Sequence, residues 1–466
     1  MTAPLTGDKR RAGARRSLRR DTVLVAVGQL AAVVSGLLVA LVGARVLSTA
    51  EFGALSWALS WLTFLAVLAQ FGLPQVATIA VAQRPRRTHA DLLRRLVLAQ
   101  AVGVVVTAGV WQWAAGPAAV AAGTPASAYR PLVLLVALWL PAAALCPVLV
   151  NVLRARNRFG LALVFGEHVR RVVLVVVLLA GAAGAAATLS ARSAVAWTVA
   201  VESVVVLAAL LLLSREVVPA GRHAAGRTAD DDGPDAEAPA GATGGPDGDG
   251  SPWRLLRTGG AFAVASLASA TLPQAGVWLL AVVAPVEEVA VFAVAVRIAV
   301  LVAVPTAIGM RTLAPRVAAA SAGGRLTELA EPVRRFAVWS TAVTAAGIVL
   351  LGAAGPVVLP TLFGAAYDGA LVPALVMSAG VLVNAWTGPC SVLLSHAGHQ
   401  RTVALSALVA SLAFAGLATW WGAAWGGTGV AAAAAVAMGA RNLHLARAAH
   451  RTLGIRTVAL PRGGGW

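Results

Sequence analysis

The chain has 466 residues, 59% of them hydrophobic and 12% charged, with a formal net charge of +18 and a mean hydropathy of +0.81. A soluble domain carries about twice that charged share, so this composition excludes an ordinary water-soluble enzyme and points to a polytopic membrane protein. Two cysteines, Cys146 and Cys390, both lie in apolar runs, without a CxxC pair or a His/Cys cluster; a disulfide scaffold and a zinc site are therefore not indicated, and both read as small buried side chains.

The N-terminus, MTAPLTGDKRRAGARRSLRRDT, is basic and leads into an apolar run of about 23 residues. That is a spanning length, too long for a signal-peptide core, so residues 1–21 read as a basic cytoplasmic tail before a first transmembrane helix. Such a tail also suits anionic lipid headgroups; with no soluble domain beside it, nucleic acid is a poor partner. Taken at roughly 20 apolar residues per crossing, the chain predicts twelve spans. They fall near 22–44, 53–82, 96–115, 131–150, 160–182, 194–213, 259–283, 289–310, 336–354, 370–394, 402–421 and 428–445. Alternating them puts 33 of the 37 Lys and Arg residues on the side of the two chain ends. The bias orients both termini toward the cytoplasm and places the protein in the cytoplasmic membrane. Trp111, Trp113, Trp420, Trp421 and Trp425 fall at outer helix ends and read as an interface belt.

Residues 215–257 read as a disordered, acidic, Gly/Pro/Ala-rich cytoplasmic linker, and its DDD run reads as solvated charge rather than a metal motif. Residues 22–214 and 258–445 then make two six-helix halves, with a cytoplasmic tail at 446–466. Laying residue i on i+237 sets Glu51 on Glu288, Ala44 on Ala281 and Gly72 on Gly309; later the offset becomes 244, with Cys146 on Cys390. Six spans per half is even, so the repeat is parallel, about an axis along the membrane normal. The RVLSTAEFG turn (45–53) and its echo in VVAPVEEVAVF (282–292) are then corresponding outer turns, with Glu51 and Gly53 shaping the first.

GARVLSTAEFGALSWALSWLTFLAVLAQFGLPQVATIAVAQ (43–83), NVLRARNRFGLALVFGEHVRRVVLVVVLL (151–179), the stretch 253–318 and VVLPTLFGAAYDGALVPAL (357–375) resemble the multidrug/oligosaccharidyl-lipid/polysaccharide exporter superfamily, in its polysaccharide-biosynthesis flippase branch. The resemblance implies a MATE-like, all-α fold of two six-helix bundles around a central cavity. It also implies a lipid-linked glycan substrate, built on polyprenyl pyrophosphate, with a glycan polymerase or glycosyltransferase as partner. The long acidic linker, and the absence of Phe-Gly from PVEEVAVF, depart from that family's pattern.

Charges inside spans are rare because each costs on the order of 2.5–3.5 kcal/mol to insert. Arg297 lies mid-span and suits a pyrophosphate or an acidic sugar, since a guanidinium offers two parallel hydrogen bonds; a structural pairing with Glu202 is the alternative. Arg45 and Arg311 extend a basic track but sit near span ends, where snorkelling is ordinary. Gln29, Gln274 and Asn384 add uncharged polar positions to the expected substrate path. Glu202 is the candidate for binding a coupling ion, or else neutralises Arg297. Glu167, Arg170 and Arg171 open span five beside His168, where an i,i+4 pair or a cytoplasmic gate is expected.

The only lysine, Lys9, is not in a Walker A loop, and neither HExxH nor GxSxG occurs. No enzymatic activity, cofactor or metal is expected. The predicted function is a lipid-linked oligosaccharide flippase; the alternatives are a cation-coupled drug antiporter of the same superfamily and a non-transporting scaffold for envelope glycan synthesis.

Overall fold

The computed structural model describes residues 28, 30–83, 89–122, 126–156, 158–166, 168–185, 190–224, 260, 263, 266–267, 274–323 and 325–459. Gln29, Glu167 and residues 225–257 of the acidic linker lie outside them, whereas residues 215–224, expected in the linker, continue the helix that begins at Ala191. The described residues are helical, with no strand among them. In chain order the helices are α1 (Leu30–Val46), α2 (Thr49–Gln70), α3 (Leu73–Gln83), α4 (His89–Val110), α5 (Gly116–Ala122), α6 (Ala126–Ala155), α7 (Phe159–Val164), α8 (His168–Ala180) and α9 (Ala191–Ala224). After the linker come α10 (Gln274–Val283), α11 (Val286–Ala322), α12 (Ala330–Phe363), α13 (Leu371–Thr387), α14 (Cys390–His396) and α15 (Gln400–Leu453).

Eight helical stretches among the described residues are long and apolar enough to cross a membrane, and α1 and α10 are shorter apolar helices. The protein is a multi-pass, all-helical membrane protein. The expected twelve spans do not map one to one onto these helices, for local reasons. Span two divides into α2 and α3, because Phe71 (φ 46°) and Gly72 (φ 74°) both turn left-handed. Span five divides into the short α7 and the 13 residues of α8, which a five-residue π-helical stretch follows. Spans eleven and twelve run together as α15, whose backbone leaves helical geometry at Trp425 and Gly426 (φ 55°, ψ −139°).

That break is a reversal. A Cβ on Gly429 would press on the carbonyl of Trp421, and one on Gly422 would lie 3.0 Å from Val430. Eight residues apart in an unbroken helix would stand about 12 Å apart along the axis, so α15 is two antiparallel helices joined at Trp425–Gly426.

The helices bury one face and leave another apolar and exposed. On α4, Val102, Val105 and Val106 are exposed; on α9, Trp197, Val201, Val204, Leu207 and Leu211 are. These positions recur every three to four residues, so each helix presents an apolar stripe, and stripes of that size belong against lipid rather than water. Opposed faces carry small residues that let backbones approach: a Cβ on Gly103 of α4 would strike the carbonyl of Ala69 on α2.

The chain divides into two compact units. One comprises residues 1–56 and 275–466, the other residues 57–274. In the second, Trp57, Trp111 and Tyr129 are fully buried, with the Trp57 and Tyr129 rings stacked 4.7 Å apart and Trp61 5.0 Å from Trp111. The Trp111 indole donates to the carbonyl of Val133 at 2.9 Å. Trp111 is thus a core residue and not part of an interface belt: the aromatic cluster supplies both its packing and its hydrogen-bond acceptor. Trp113, Trp420 and Trp425 are exposed as a belt requires. Cys146 and Cys390 are both buried and unbonded to each other.

In the first unit, the opening of α2 rests on the opening of α11. Ser48 precedes α2 and accepts from the Glu51 N–H at 3.2 Å, the spacing of a capping box. Gly53 has no room for a side chain, because its Cβ would collide with the carbonyl of Val286. Phe52 is buried edge-on to Tyr367, with ring centroids 6.0 Å apart. Glu51 and Glu288 each lie in the first turn of their helix, where a carboxylate meets the positive end of the dipole. Gly72 and Gly309 diverge: the first is a left-handed break, whereas the second lies inside α11 with the Phe336 ring over it.

Candidate functional site

Arg297 and Arg311 share α11. Fourteen residues make nearly four full turns, so the two point within about 40° of one another around the axis. Arg297 is half-buried between the buried Val296 and Ile298, and Arg311 is exposed. From Val289 to the end of α11 there is no carboxylate, while Arg297, Arg311 and Arg316 follow in turn. Gln274 is half-buried at the first residue of α10.

Arg45 has a different neighbourhood. It ends α1, and its guanidinium donates through Nε to the carbonyl of Leu362 at 2.7 Å and through Nη2 to the carbonyl of Thr361. Those carbonyls are at the C-terminus of α12, which lacks helical partners for its last C=O groups and carries the negative end of the dipole. Arg45 caps α12.

Asn384 lies in α13 and accepts from Asn442 of α15 at 3.0 Å. Asn442 is buried, and its backbone carbonyl accepts from the thiol of Cys390 at 3.8 Å. At the next residue of α13, the carbonyl of Ala385 accepts from Ser340 of α12 at 3.2 Å. A further polar bridge joins Thr306 of α11 to Thr344 of α12 at 3.3 Å. Sequence reading reached Asn384 but not Asn442 or its neighbour Arg441, whose buried Nε has no partner among the described residues. The signal was present: Arg441 falls inside the twelfth predicted span, although its charge was counted with the C-terminal end.

In the other unit, Glu202 of α9 is 3% exposed and accepts from the indole N–H of Trp139 on α6, itself fully buried. A buried carboxylate demands such donors, because an unsatisfied one is costly in low dielectric. Gln100 of α4 donates to the Ala69 carbonyl at 3.0 Å. Arg170 and Arg171 are half-buried in the first turn of α8; Glu167, the third member of the expected gate, lies outside the described residues.

The first unit also holds a cavity of about 490 Å³, lined by Thr49, Glu287, Glu288, Phe292, Gly427 and Thr428 among others. Glu288 Oε1 accepts from the Gly427 N–H at 2.7 Å, capping the returning helix of the α15 hairpin. Glu287 is exposed. In the first turns of α4 and α12, Asp91 pairs with Arg95 at 2.7 Å, and Glu331 with Arg334 and Arg335 at 3.0 and 2.9 Å. These are i,i+3 and i,i+4 pairs of ordinary helix surfaces.

Residues 18–223 match the family of the polysaccharide biosynthesis protein. No curated protein matches the chain. Among solved structures, the chain is similar to an inward-facing multidrug resistance MATE family transporter of the MOP superfamily: TM-score 0.66 at 13% identity, over 90% of this chain and 96% of that one. It is similar to the lipid II flippase MurJ in an inward closed conformation, with TM-score 0.63 and 12% identity over 91% and 87% of the two chains. A third likeness, TM-score 0.58 at 13% identity over 94% and 95%, is to a MOP superfamily transporter from Pyrococcus furiosus for which reverse polarity of the binding pocket suggests a different function. The chain has the fold of the MOP exporter superfamily, as its motifs imply.

Proposed function

We propose that this chain, a membrane protein with the MOP exporter fold, moves a lipid-linked oligosaccharide or polysaccharide precursor across the cytoplasmic membrane by alternating access. Both termini face the cytoplasm in this reading. The observation that carries it is Arg297: a permanent charge, half-buried at the twelfth residue of a spanning helix, on a stretch of α11 with no carboxylate after Glu288. An intramembrane Arg is expensive, and its planar fork matches a pyrophosphate. The match to a polysaccharide biosynthesis family and the likeness to a lipid II flippase support the same class of cargo. Arg311, Gln274 and Asn384 are further substrate-path candidates in this reading, as is Gln29, which lies outside the described residues. Glu202 is the candidate for ion coupling, and Arg170, Arg171 and Glu167, the last outside the described residues, are the candidates for a cytoplasmic gate. Arg45 is assigned to structure, because its guanidinium is engaged by the end of α12. The partners are membrane lipids, the polyprenyl-linked glycan and enzymes that build or polymerise it.

The test is translocation of a fluorescent polyprenyl-pyrophosphate sugar by the purified chain in vesicles. Arg297→Ala should abolish transfer while leaving membrane insertion and unfolding behaviour intact, and Arg297→Lys should retain a fraction of it. A second reading, a cation-coupled drug antiporter, draws on the MATE likeness and on the cavity bearing Glu287 and Glu288. It predicts efflux of a cationic dye that depends on Glu287 and is indifferent to Arg297→Ala. A scaffold role predicts neither activity.

A further inference from the structure

The end of the chain is built as part of a groove. α15 stops at Gly454, which is left-handed (φ 68°) and donates to the carbonyl of His450 at 3.0 Å. The chain then turns back across the ends of α13 and α14. Ile455 is buried with Leu313, Val317, Val333 and Leu393. Thr457 is 1% exposed, and the Ala459 N–H donates to the Trp386 carbonyl at 2.9 Å. Gly388 (φ 72°) admits this strap, since a Cβ there would lie 2.7 Å from the Thr457 carbonyl.

Between strap and helix lies a groove with two kinds of wall. Trp386, Leu443, Ala446 and Val458 form an apolar floor. Leu443, Ala446, Arg447 and His450 stand at i, i+3, i+4 and i+7, so they share one face of α15. Arg447, His450 and Arg456 are exposed at the rim. Thr457 also lines the groove, with its hydroxyl buried and without a hydrogen-bond partner among the described residues. No Asp or Glu occurs anywhere after Asp368, and the lining of the groove holds three basic residues and no acidic one. By the charge bias, this end of α15 meets the cytoplasmic leaflet, whose anionic lipids attract basic residues near the surface.

We propose that the groove between α15 and the strap 454–459 is a binding site for an anionic membrane phospholipid. The phosphate sits on Arg447, His450 and Arg456. The first methylenes of the chains lie along Trp386, Leu443 and Val458. An apolar floor under a cationic rim fits such an amphiphile; it does not fit a free anion, which would leave the floor dry, or a cation, which the rim repels. The site is separate from Arg297 and independent of which cargo the protein moves.

The experiment is titration of the detergent-purified full chain with dioleoylphosphatidylglycerol, reading thermal stabilisation and, by native mass spectrometry, retained lipid. Dioleoylphosphatidylcholine and inorganic phosphate serve as separate probes. The wild-type chain should be stabilised saturably by phosphatidylglycerol alone. Each removed cation should weaken the apparent affinity about fivefold, so that Arg447→Gln with Arg456→Gln loses roughly twenty-fivefold. Arg401→Gln with Arg451→Gln removes the same charge from exposed positions outside the groove and should leave the affinity within about twofold. Unfolding in phosphatidylcholine alone reports whether the groove variants fold, and Arg447→Gln by itself spares the strap. Equal losses in both double variants would show unspecific charge attraction and overturn the proposal, as would an unchanged response in the groove variant. Stabilisation by inorganic phosphate at the same concentration would overturn the lipid assignment.

Discussion

Replacing Gly426 by Ala probes how the α15 hairpin closes. Gly426 has φ 55° and ψ −139°, a conformation essentially confined to glycine and costing another residue about 1–3 kcal/mol. Its Cβ would also run into the carboxylate of Glu288, which accepts from the Gly427 N–H at 2.7 Å. Displacing that carboxylate forfeits a helix N-cap, worth about 0.5–2 kcal/mol. Gly426→Ala should therefore destabilise the chain by roughly 2–4 kcal/mol. Glu288→Ala alone should cost about 1 kcal/mol, and Glu288→Gln less, because the amide oxygen still accepts. In the double variant Glu288→Ala/Gly426→Ala the cap is already lost and the collision is gone, so only the backbone strain is added. The two should couple, with a summed cost at least about 1 kcal/mol above the measured one. Unfolding in mixed detergent–SDS micelles, followed by fluorescence of the nearby Trp421–Trp425 pair (centroids 5.8 Å apart), reads all four variants. Additivity to within about 0.5 kcal/mol would refute the reasoning that one carboxylate both caps the returning helix and fills the space beside Gly426.

Trp139→Phe removes the indole donor to buried Glu202 and should destabilise by about 1–3 kcal/mol, whereas Glu202→Gln, which keeps an acceptor, should cost less in the same unfolding assay. If Glu202 also couples an ion, Glu202→Gln should flatten the ion dependence of transport while sparing binding of the cargo. Asn384→Leu and Asn442→Leu should show a coupling energy of about 0.6 kcal/mol, at most about 1.7, in a double-mutant cycle. Arg45→Ala should cost about 0.3–1 kcal/mol by uncapping α12 and should leave transport per folded molecule unchanged; a transport defect without a stability change would return Arg45 to the substrate path.

How much was legible depended on the kind of interaction. Apolar length is summed over many residues, so the all-helical membrane class and the turn at RVLSTAEFG could be read directly. Gly53 was readable as special because the turn is short, although the contact that requires it, the carbonyl of Val286, comes from a turn more than 230 residues away. Helix breaks were harder. Phe71–Gly72 and Trp425–Gly426 interrupt stretches whose hydropathy does not falter, and one of the two left-handed residues at the first break is a phenylalanine. Trp111 illustrates the limit for aromatics: an indole at a helix end reads the same whether it faces headgroups or packs on Trp61 and donates to Val133.

The chain's own composition determined its solvent. With 59% hydrophobic residues and long uncharged runs, helices are the form in which an isolated segment satisfies its backbone in lipid, so class, approximate spans and the scarcity of buried charge follow from one dimension. Which polar groups meet was decided only in three. Arg45 with the end of α12, Glu202 with Trp139, Asn384 with Asn442 and Glu288 with Gly427 are pairings between residues 58 to 317 positions apart. A polar side chain in lipid must find a partner, and its sequence states that need without naming the partner. Packing of the helices selects it.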